Sequence, residues 1–453
     1  MHGLRQCLLI LDTIHGKNST GMRSLKRNRH HFERIRCSRQ VFAAVDTAEQ
    51  KTKHLEIRMN FEFQNPTRLI FGAGSLFRIG EAASRLGKKA LLVTGGGSVK
   101  RSGVFDRTVA TLKAAGVSIA ECSGIEPNPR ITSVVRGAEI ARQEACDMVI
   151  ALGGGSTMDA SKVIAAAVLY DGNPWDMILH GQEKWHIPSE ALPLITIPTL
   201  AATGSEMNNG AVITNEETKV KSFLVADCLF PRIAIVDPEL TVSVPKDQTA
   251  FGVCDLITHV TEAYCNGIDG TPLQDRFAEG VILAAMEWGP KAIADGNDLE
   301  ARTQVQWAAL VALNGWVHAG TNPMYPVHML EHTVSAYHDV THAAGLAVIN
   351  PAWMRFAARA NSAKFVQFAE RVFGLKAKST TDLDCALEGI DRFEAFLRAI
   401  GCPTRFSELG IGSELFETYA KDTLKIIHDA DGKLPGRPAM SEADIVEVFK
   451  AAV

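Results

Sequence analysis

Short apolar runs alternate with amphipathic stretches through the middle of the chain. Residues 90–94 are apolar and end at Gly95-Gly96-Gly97-Ser98. The spacing then predicts a helix over 105–115, a strand over 117–120, and a helix over 131–144 with Val134, Val135, Ala138, Ile140 and Ala141 on one face. A buried-type strand over 148–152 ends at Gly153-Gly154-Gly155-Ser156, and a helix over 158–169 follows. Residues 194–197 read as another apolar strand, 211–214 and 220–225 as a hairpin, and 233–236 as the last strand. Strands alternating with helices predict a parallel, doubly wound α/β sheet of Rossmann-like type. Beyond residue 244 the 3.6-residue period takes over, with breakers at Gly289-Pro290, Asn322-Pro323, Gly401-Cys402-Pro403 and Gly436. The expected organisation is an α/β domain over 59–243 and an all-helical domain over 244–453.

Residues 1–58 carry no sustained period. They hold twelve Lys and Arg against five Asp and Glu, a surplus of +7, so the rest of the chain carries −11 of the overall −4. A disordered or non-native tail is the expectation. An Arg-rich transit peptide is the alternative. Met59-Asn60-Phe61-Glu62-Phe63 alternates apolar and polar residues and predicts the first strand.

With 46% hydrophobic and 22% charged residues, the 453-residue chain has ordinary globular composition. The net charge argues against a general nucleic-acid binder. No apolar run approaches the roughly 18 residues that a membrane span needs. Nine scattered cysteines without a CxxC argue against a disulfide scaffold or a thiolate zinc site, and for a cytoplasmic protein.

The chemistry lies in two places. Gly153-Gly154-Gly155-Ser156 joins a strand to a helix, with Asp159 and Lys162 on that helix's first turns. Glycines there let a phosphate approach bare backbone, and a helix N-terminus offers unpaired N–H groups. The spacing is not GxGxxG, so this is not the ordinary dinucleotide fingerprint. Gly95-Gly96-Gly97-Ser98 repeats the arrangement after the first strand of the α/β pattern. No acid follows in the chain until Asp106, while Lys100 and Arg101 bring positive charge, which suits a 2′-phosphate and hence NADP, with NAD the alternative. A Thr-Leu-Ala-Ala-Thr-Gly-Ser-Glu loop over 199–206 is a weaker candidate. The second place is a histidine concentration: His318, His328, His332, His338 and His342. Asp255 and His259, and His328 and His332, are spaced i, i+4 and so share a helix face. Imidazoles with one carboxylate suit Fe²⁺ or Zn²⁺.

Taken together, Gly154-Gly155-Ser156-x-x-Asp159-x-x-Lys162, the Thr-Gly-Ser-Glu loop, Asp255-x-x-x-His259, and His328 fourteen residues before His342 resemble the iron-containing alcohol dehydrogenases. Gly95 to Lys100 and Gly124-Ile125-Glu126-Pro127-Asn128-Pro129 resemble their NADP(H)-linked butanol dehydrogenase and broad aldehyde reductase branch. The resemblance implies the dehydroquinate synthase-like fold and metal ligation by Asp255, His259, His328 and His342. It places His332 near the substrate, where it is a candidate proton relay. The cofactor-binding set expected is Gly95, Gly96, Gly97, Ser98, Gly154, Gly155, Ser156, Asp159, Thr196, Thr199, Ser205 and Lys221. Implied is reversible alcohol–aldehyde interconversion, with the metal as Lewis acid and the nicotinamide carrying hydride. A homodimer is expected, with a small alcohol or aldehyde as substrate. A glycerol dehydrogenase-like polyol enzyme and a non-catalytic nucleotide-binding protein are the alternatives. Relatives often carry an Asp-Trp pair before the first late histidine, and Pro-His-Gly around the last. Here Asn322-Pro323-Met324-Tyr325-Pro326-Val327 and Thr341-His342-Ala343 stand instead.

Overall fold

The computed structural model describes residues 59–181 and 185–453. The expected tail over 1–58 lies outside the described residues. Six strands form one parallel sheet in the order β1 (Arg68–Phe71), β8 (Ile233–Val236), β5 (Leu194–Pro198), β4 (Met148–Gly153), β2 (Lys89–Gly95), β3 (Ser118–Ile125). A separate antiparallel pair, β6 (Gly210–Asn215) and β7 (Val220–Val225), is the expected hairpin. Strand β4 is buried along its whole length because helices cover both faces of the sheet. On one face Leu91, Val93, Val149 and Ala151 pack in a common core with residues of the helices Ile131–Gln143 and Gly155–Ala167. On the other, Ala90, Leu92, Met148 and Ile150 pack with residues of the helices Ile79–Ser84 and Val104–Ala114.

We number the helices α1 (Ile79–Ser84), α2 (Ser98–Arg101), α3 (Val104–Ala114), α4 (Ile131–Gln143), α5 (Gly155–Ala167), α6 (Lys246–Asn266), α7 (Pro272–Ala294), α8 (Leu299–Leu313), α9 (Pro326–His338), α10 (His342–Ala360), α11 (Ser362–Phe373), α12 (Leu383–Ala399), α13 (Phe416–Ile426) and α14 (Glu442–Ala451). From α6 onward every named α-helix or strand is helical, around one large apolar core. Among the described residues no helix is long and apolar enough to cross a membrane.

Three expectations are corrected. Residues 59–63 form no strand. Their alternation is real, but among the described residues no strand pairs with them, and Phe61 and Phe63 stay 47% and 42% exposed. The first strand of the sheet is instead Arg68–Phe71, which pairs in parallel with β8. Gly289-Pro290 does not break a helix: Pro290 lies inside α7, four residues from its end, where a single backbone donor is lost. Helix α5 starts at Gly155, three residues earlier than its apolar period suggests.

Sheet order positions the site. The chain runs from β2 outward to β3 and then returns to β4 on the other side of β2. The carboxyl ends of β2 and β4 therefore flank a switch point, where open α/β sheets bind ligands.

Candidate metal and dinucleotide site

Both glycine turns sit at that switch point. Gly97 has φ 101°, a left-handed value that favours glycine. A Cβ added at Gly96 would meet nothing within 4 Å, so that backbone faces open space. At Gly155 a Cβ would lie 2.5 Å from Thr203 Cγ2, so only glycine lets the 199–206 loop settle on the start of α5. The Thr199 N–H donates to the Gly153 carbonyl at 3.0 Å and pins that loop. Ser156 lies in the first turn of α5.

Three of the expected cofactor residues lie beneath this surface. Asp159 accepts from Ser205 Oγ at 2.6 Å and from the Val212 N–H at 2.9 Å. Thr196 Oγ1 donates to the Glu206 carbonyl at 3.1 Å. Lys162, fully buried, donates to Ser205 Oγ, Asn208 Oδ1 and the Gly210 carbonyl at 2.7–2.8 Å. Asp159, Thr196 and Ser205 thus shape the loop from below. Burial pushes Lys162 down to about 8, against the pull of Asp159 and Glu206.

The reading of Lys100 also changes. Its ammonium pairs with Glu121 of β3. That acid is 26 positions from the end of β2 in the chain, but parallel pairing of β2 with β3 brings it beside the turn. Lys100 and Ser123 together hold the Glu121 carboxyl below its usual range. Arg101 approaches Gly97, its Nη1 3.3 Å from where a Cβ would stand.

The expected metal ligands come from three helices. α6 places Asp255 and His259 on one face, with Asp255 Oδ1 3.5 Å from His259 Nδ1. α9, started by Pro326, carries His328 and His332, and His342 opens α10. Asp255, His328 and His342 each offer a donor atom within 4.8 Å of the others. The His259 ring lies 4.4 Å from that of His328, outside this tightest group but against it. A second grouping, Glu331, His332 and His342, shares His342.

A divalent ion fits these residues. Asp255 Oδ1, His259 Nδ1 and His328 Nε2 are buried without a hydrogen-bond partner. Each such orphan costs about 1–3 kcal/mol in a dry interior, and a cation would accept the lone pairs of Asp255 and His328, whose donor atoms lie within 4.8 Å of each other. Burial, followed by the charges of His328 and His342, holds His259 well below the usual imidazole range. Burial likewise takes His342 down to about 4. Both rings are therefore neutral near pH 7, the form that binds metal. Burial raises the Asp255 carboxyl to about 7, partly offset by His328.

Two carboxylates absent from the expected set complete the arrangement. Glu262, fully buried, contacts His328 Nδ1 and accepts from the Val327 N–H at 2.6 Å. Glu331, also fully buried, contacts His342 Nδ1 and Ser335 Oγ, and Lys221 lies 3.1 Å from its Oε2. Carboxylates on Nδ1 direct Nε2 toward a metal and increase its basicity. Burial opposes ionisation of Glu331, but His342 and Lys221 outweigh it and hold the carboxyl below its usual range. Lys221, expected beside the dinucleotide, thus sits at the metal cluster. Their positions offered a signal: Glu262 is three residues after His259, and Glu331 three after His328, each on the ligand face of its helix.

His332 is 4% exposed and its Nδ1 has no partner. Burial and the Lys221 charge hold it well below neutrality, so it is an uncharged acceptor rather than a group poised near pH 7. His318 stands edge-on to Tyr325 at 6.4 Å, and Tyr325 edge-on to His328 at 5.9 Å. The segment that departs from the Asp-Trp pattern therefore walls the metal cluster. His338 points elsewhere and contacts the Tyr419 hydroxyl.

Comparison with known proteins gives consistent matches. Residues 66–238 match the family described as iron-containing alcohol dehydrogenase, and 249–453 match the C-terminal part of the Fe-containing alcohol dehydrogenase family. The chain is 41% identical over 394 residues to the probable NADH-dependent butanol dehydrogenase 1 of Bacillus subtilis, covering 87% of this chain and 100% of that one. It is 36% identical to the NADPH-dependent aldehyde reductase YqhD of Escherichia coli, over 78% of this chain and 89% of that protein. The crystal structure of NADH-dependent butanol dehydrogenase A from Thermotoga maritima superposes with a TM-score of 0.82 at 35% identity, covering 87% of this chain and 98% of that one.

Proposed function

The chain belongs to the iron-containing alcohol dehydrogenase family, enzymes that interconvert alcohols and aldehydes with NAD(P)H and a divalent metal, and from that premise we propose that it acts on short primary alcohols and aldehydes such as butanol and butanal. The observation that carries this reading is the meeting of Asp255, His328 and His342 within 4.8 Å, with Asp255 Oδ1 and His328 Nε2 buried and unpartnered. Asp255, His259, His328 and His342 are the proposed ligands of one Fe²⁺ or Zn²⁺. Residues 59–243 are the proposed cofactor-binding domain and 244–453 the metal- and substrate-binding domain.

A bound ion would supply Lewis acidity toward the substrate oxygen, and the nicotinamide the hydride. The chain's own residues do the rest. Glu262 and Glu331 fix the ring orientation of His328 and His342. His332 Nδ1, buried and uncharged, is the proposed acceptor for a proton leaving the alcohol. The side chains of Tyr325 and His318 narrow the approach. The glycine turns and the N-terminus of α5 hold the dinucleotide phosphates.

The test is direct. Protein loaded with Zn²⁺ or Fe²⁺ is expected to oxidise reduced nicotinamide on addition of butanal, and a chelator to stop it. Glycerol oxidation without butanal reduction would favour a polyol enzyme, and dinucleotide binding with no turnover would sink the reading. NADP(H) is the proposed preference, on the open backbone at Gly96 and the approach of Arg101. Gly96→Asp is expected to lower kcat/KM for NADPH roughly tenfold, about 1.4 kcal/mol of like-charge repulsion, and to affect NADH less. An unmodified enzyme faster with NADH would contradict the preference. A homodimer is part of the proposal, supported by the half-exposed alternation of Met59, Phe61 and Phe63. Sedimentation of the same preparation counts the subunits. A cytoplasmic location fits the seven cysteines that are free among the described residues.

A further inference from the structure

Two residues other than glycine with left-handed backbone, far apart in the chain, meet in the fold. Asn128, in the loop after β3, has φ 51°, and Asp339, at the end of α9, has φ 52°. Asn and Asp tolerate this region better than other side chains, yet it carries a strain cost that persists only where surroundings hold it. Asn128 Nδ2 donates to Asp339 Oδ1 at 2.9 Å and to the Val340 carbonyl at 3.0 Å. Arg130 Nη2 donates to Asp339 Oδ2 at 2.8 Å, and Arg130 Nε lies 2.9 Å from Glu216 Oε1. Asn128 and Arg130 are both buried.

The two residues gripped, Asp339 and Val340, lie just ahead of His342. Asp339 ends α9, Val340 and Thr341 follow, and His342 begins α10. A second route runs from the same asparagine to the same histidine. Lys221 Nζ donates to Asn128 Oδ1 at 2.9 Å and to Glu331 Oε2 at 3.1 Å, and Glu331 contacts His342 Nδ1. Asn128 thus fixes the His342 backbone through the loop and, through Lys221 and Glu331, its ring.

We propose that Asn128 and Asp339 are positioning residues that set the metal-binding geometry of His342, so that a loop of the α/β part of the chain is a working component of the metal site. The proposal rests on the ligand set given above. A ligand held to within a fraction of an ångström loses no ordering entropy on binding, whereas a loop free to move must be ordered by the ion itself.

Glycine accepts the backbone at both positions, so Asp339→Gly and Asn128→Gly remove the side-chain contacts without adding strain. Zn²⁺ affinity is read by competition with a chromophoric chelator, together with the thermal midpoint of the metal-free protein. Each variant is expected to bind Zn²⁺ about tenfold more weakly, in the range found for outer-sphere partners of metal ligands. The midpoint should move little. The double variant should lose clearly less than the product of the two single effects, because the two residues share the Asn128–Asp339 contact. Singles within twofold of the parent, or effects that multiply in the double variant, would overturn the proposal. A parent protein that binds no Zn²⁺ would instead overturn the ligand assignment beneath it.

Discussion

Replacing His342 with alanine is expected to remove the bound ion and to lower aldehyde reduction by about a thousandfold or more, while the protein stays folded. His342 is shared by both tight groupings of donor atoms, so its loss breaks each of them and leaves Asp255, His259 and His328 as an incomplete set. Lewis-acid stabilisation contributes several kcal/mol, and about 4 kcal/mol corresponds to three orders of magnitude in rate. Stability should hold for three reasons. The His342 side chain is 24% exposed. Alanine is a good residue for the first turn of a helix. The carboxylate left behind is not orphaned, because Glu331 keeps Lys221 and Ser335. His328→Ala makes an instructive contrast, since it would strip Glu262 of its imidazole in a fully buried position and should cost stability as well. Metal content by plasma mass spectrometry, steady-state rates and circular dichroism separate these effects. Full-rate butanal reduction by a metal-free His342→Ala protein would refute the Lewis-acid assignment.

What the sequence made legible was local in character. The strand over 233–236 emerged as read, because four apolar residues closed by Asp237-Pro238 leave little choice. The i, i+4 spacing of Asp255 with His259 needs only the helical period to share a face, and it did. Arg68–Phe71 escaped because four residues starting with an arginine carry almost no period, and the strand exists only through β8, more than 160 positions later. Phe61 and Phe63 show the converse: correct alternation, but no strand partner among the described residues. At the site, Glu121 was invisible for a related reason. Along the chain no acid follows β2 until Asp106, whereas Glu121 comes sideways from the neighbouring strand. Asn128 meeting Asp339 across more than 200 positions could not be inferred from spacing, because it depends on how the helices settle against the sheet.

The second large effect concerns stability rather than chemistry. Lys162→Met is expected to destabilise the protein by about 3–5 kcal/mol, the usual consequence of removing one member of a buried charged group. Lys162 is fully buried and makes three hydrogen bonds that tie α5 to the 199–206 loop and to the start of β6. Its charge also faces Asp159 and Glu206, and the thioether of methionine would fill the volume without answering either carboxylate. Burial already raises Glu206 to about 7, with Lys162 holding it down. Without that ammonium both acids would be driven further toward their protonated forms. Adding Asp159→Asn should recover part of the loss, because the amide carries no charge, its oxygen can accept the Val212 N–H, and its NH2 can donate to the Ser205 oxygen that the lysine vacates. Urea denaturation of the metal-free single and double variants measures both quantities. If Lys162→Met unfolded at the parent's urea midpoint, the buried ammonium would be dispensable, and the loop beneath the dinucleotide site would owe its shape to packing alone.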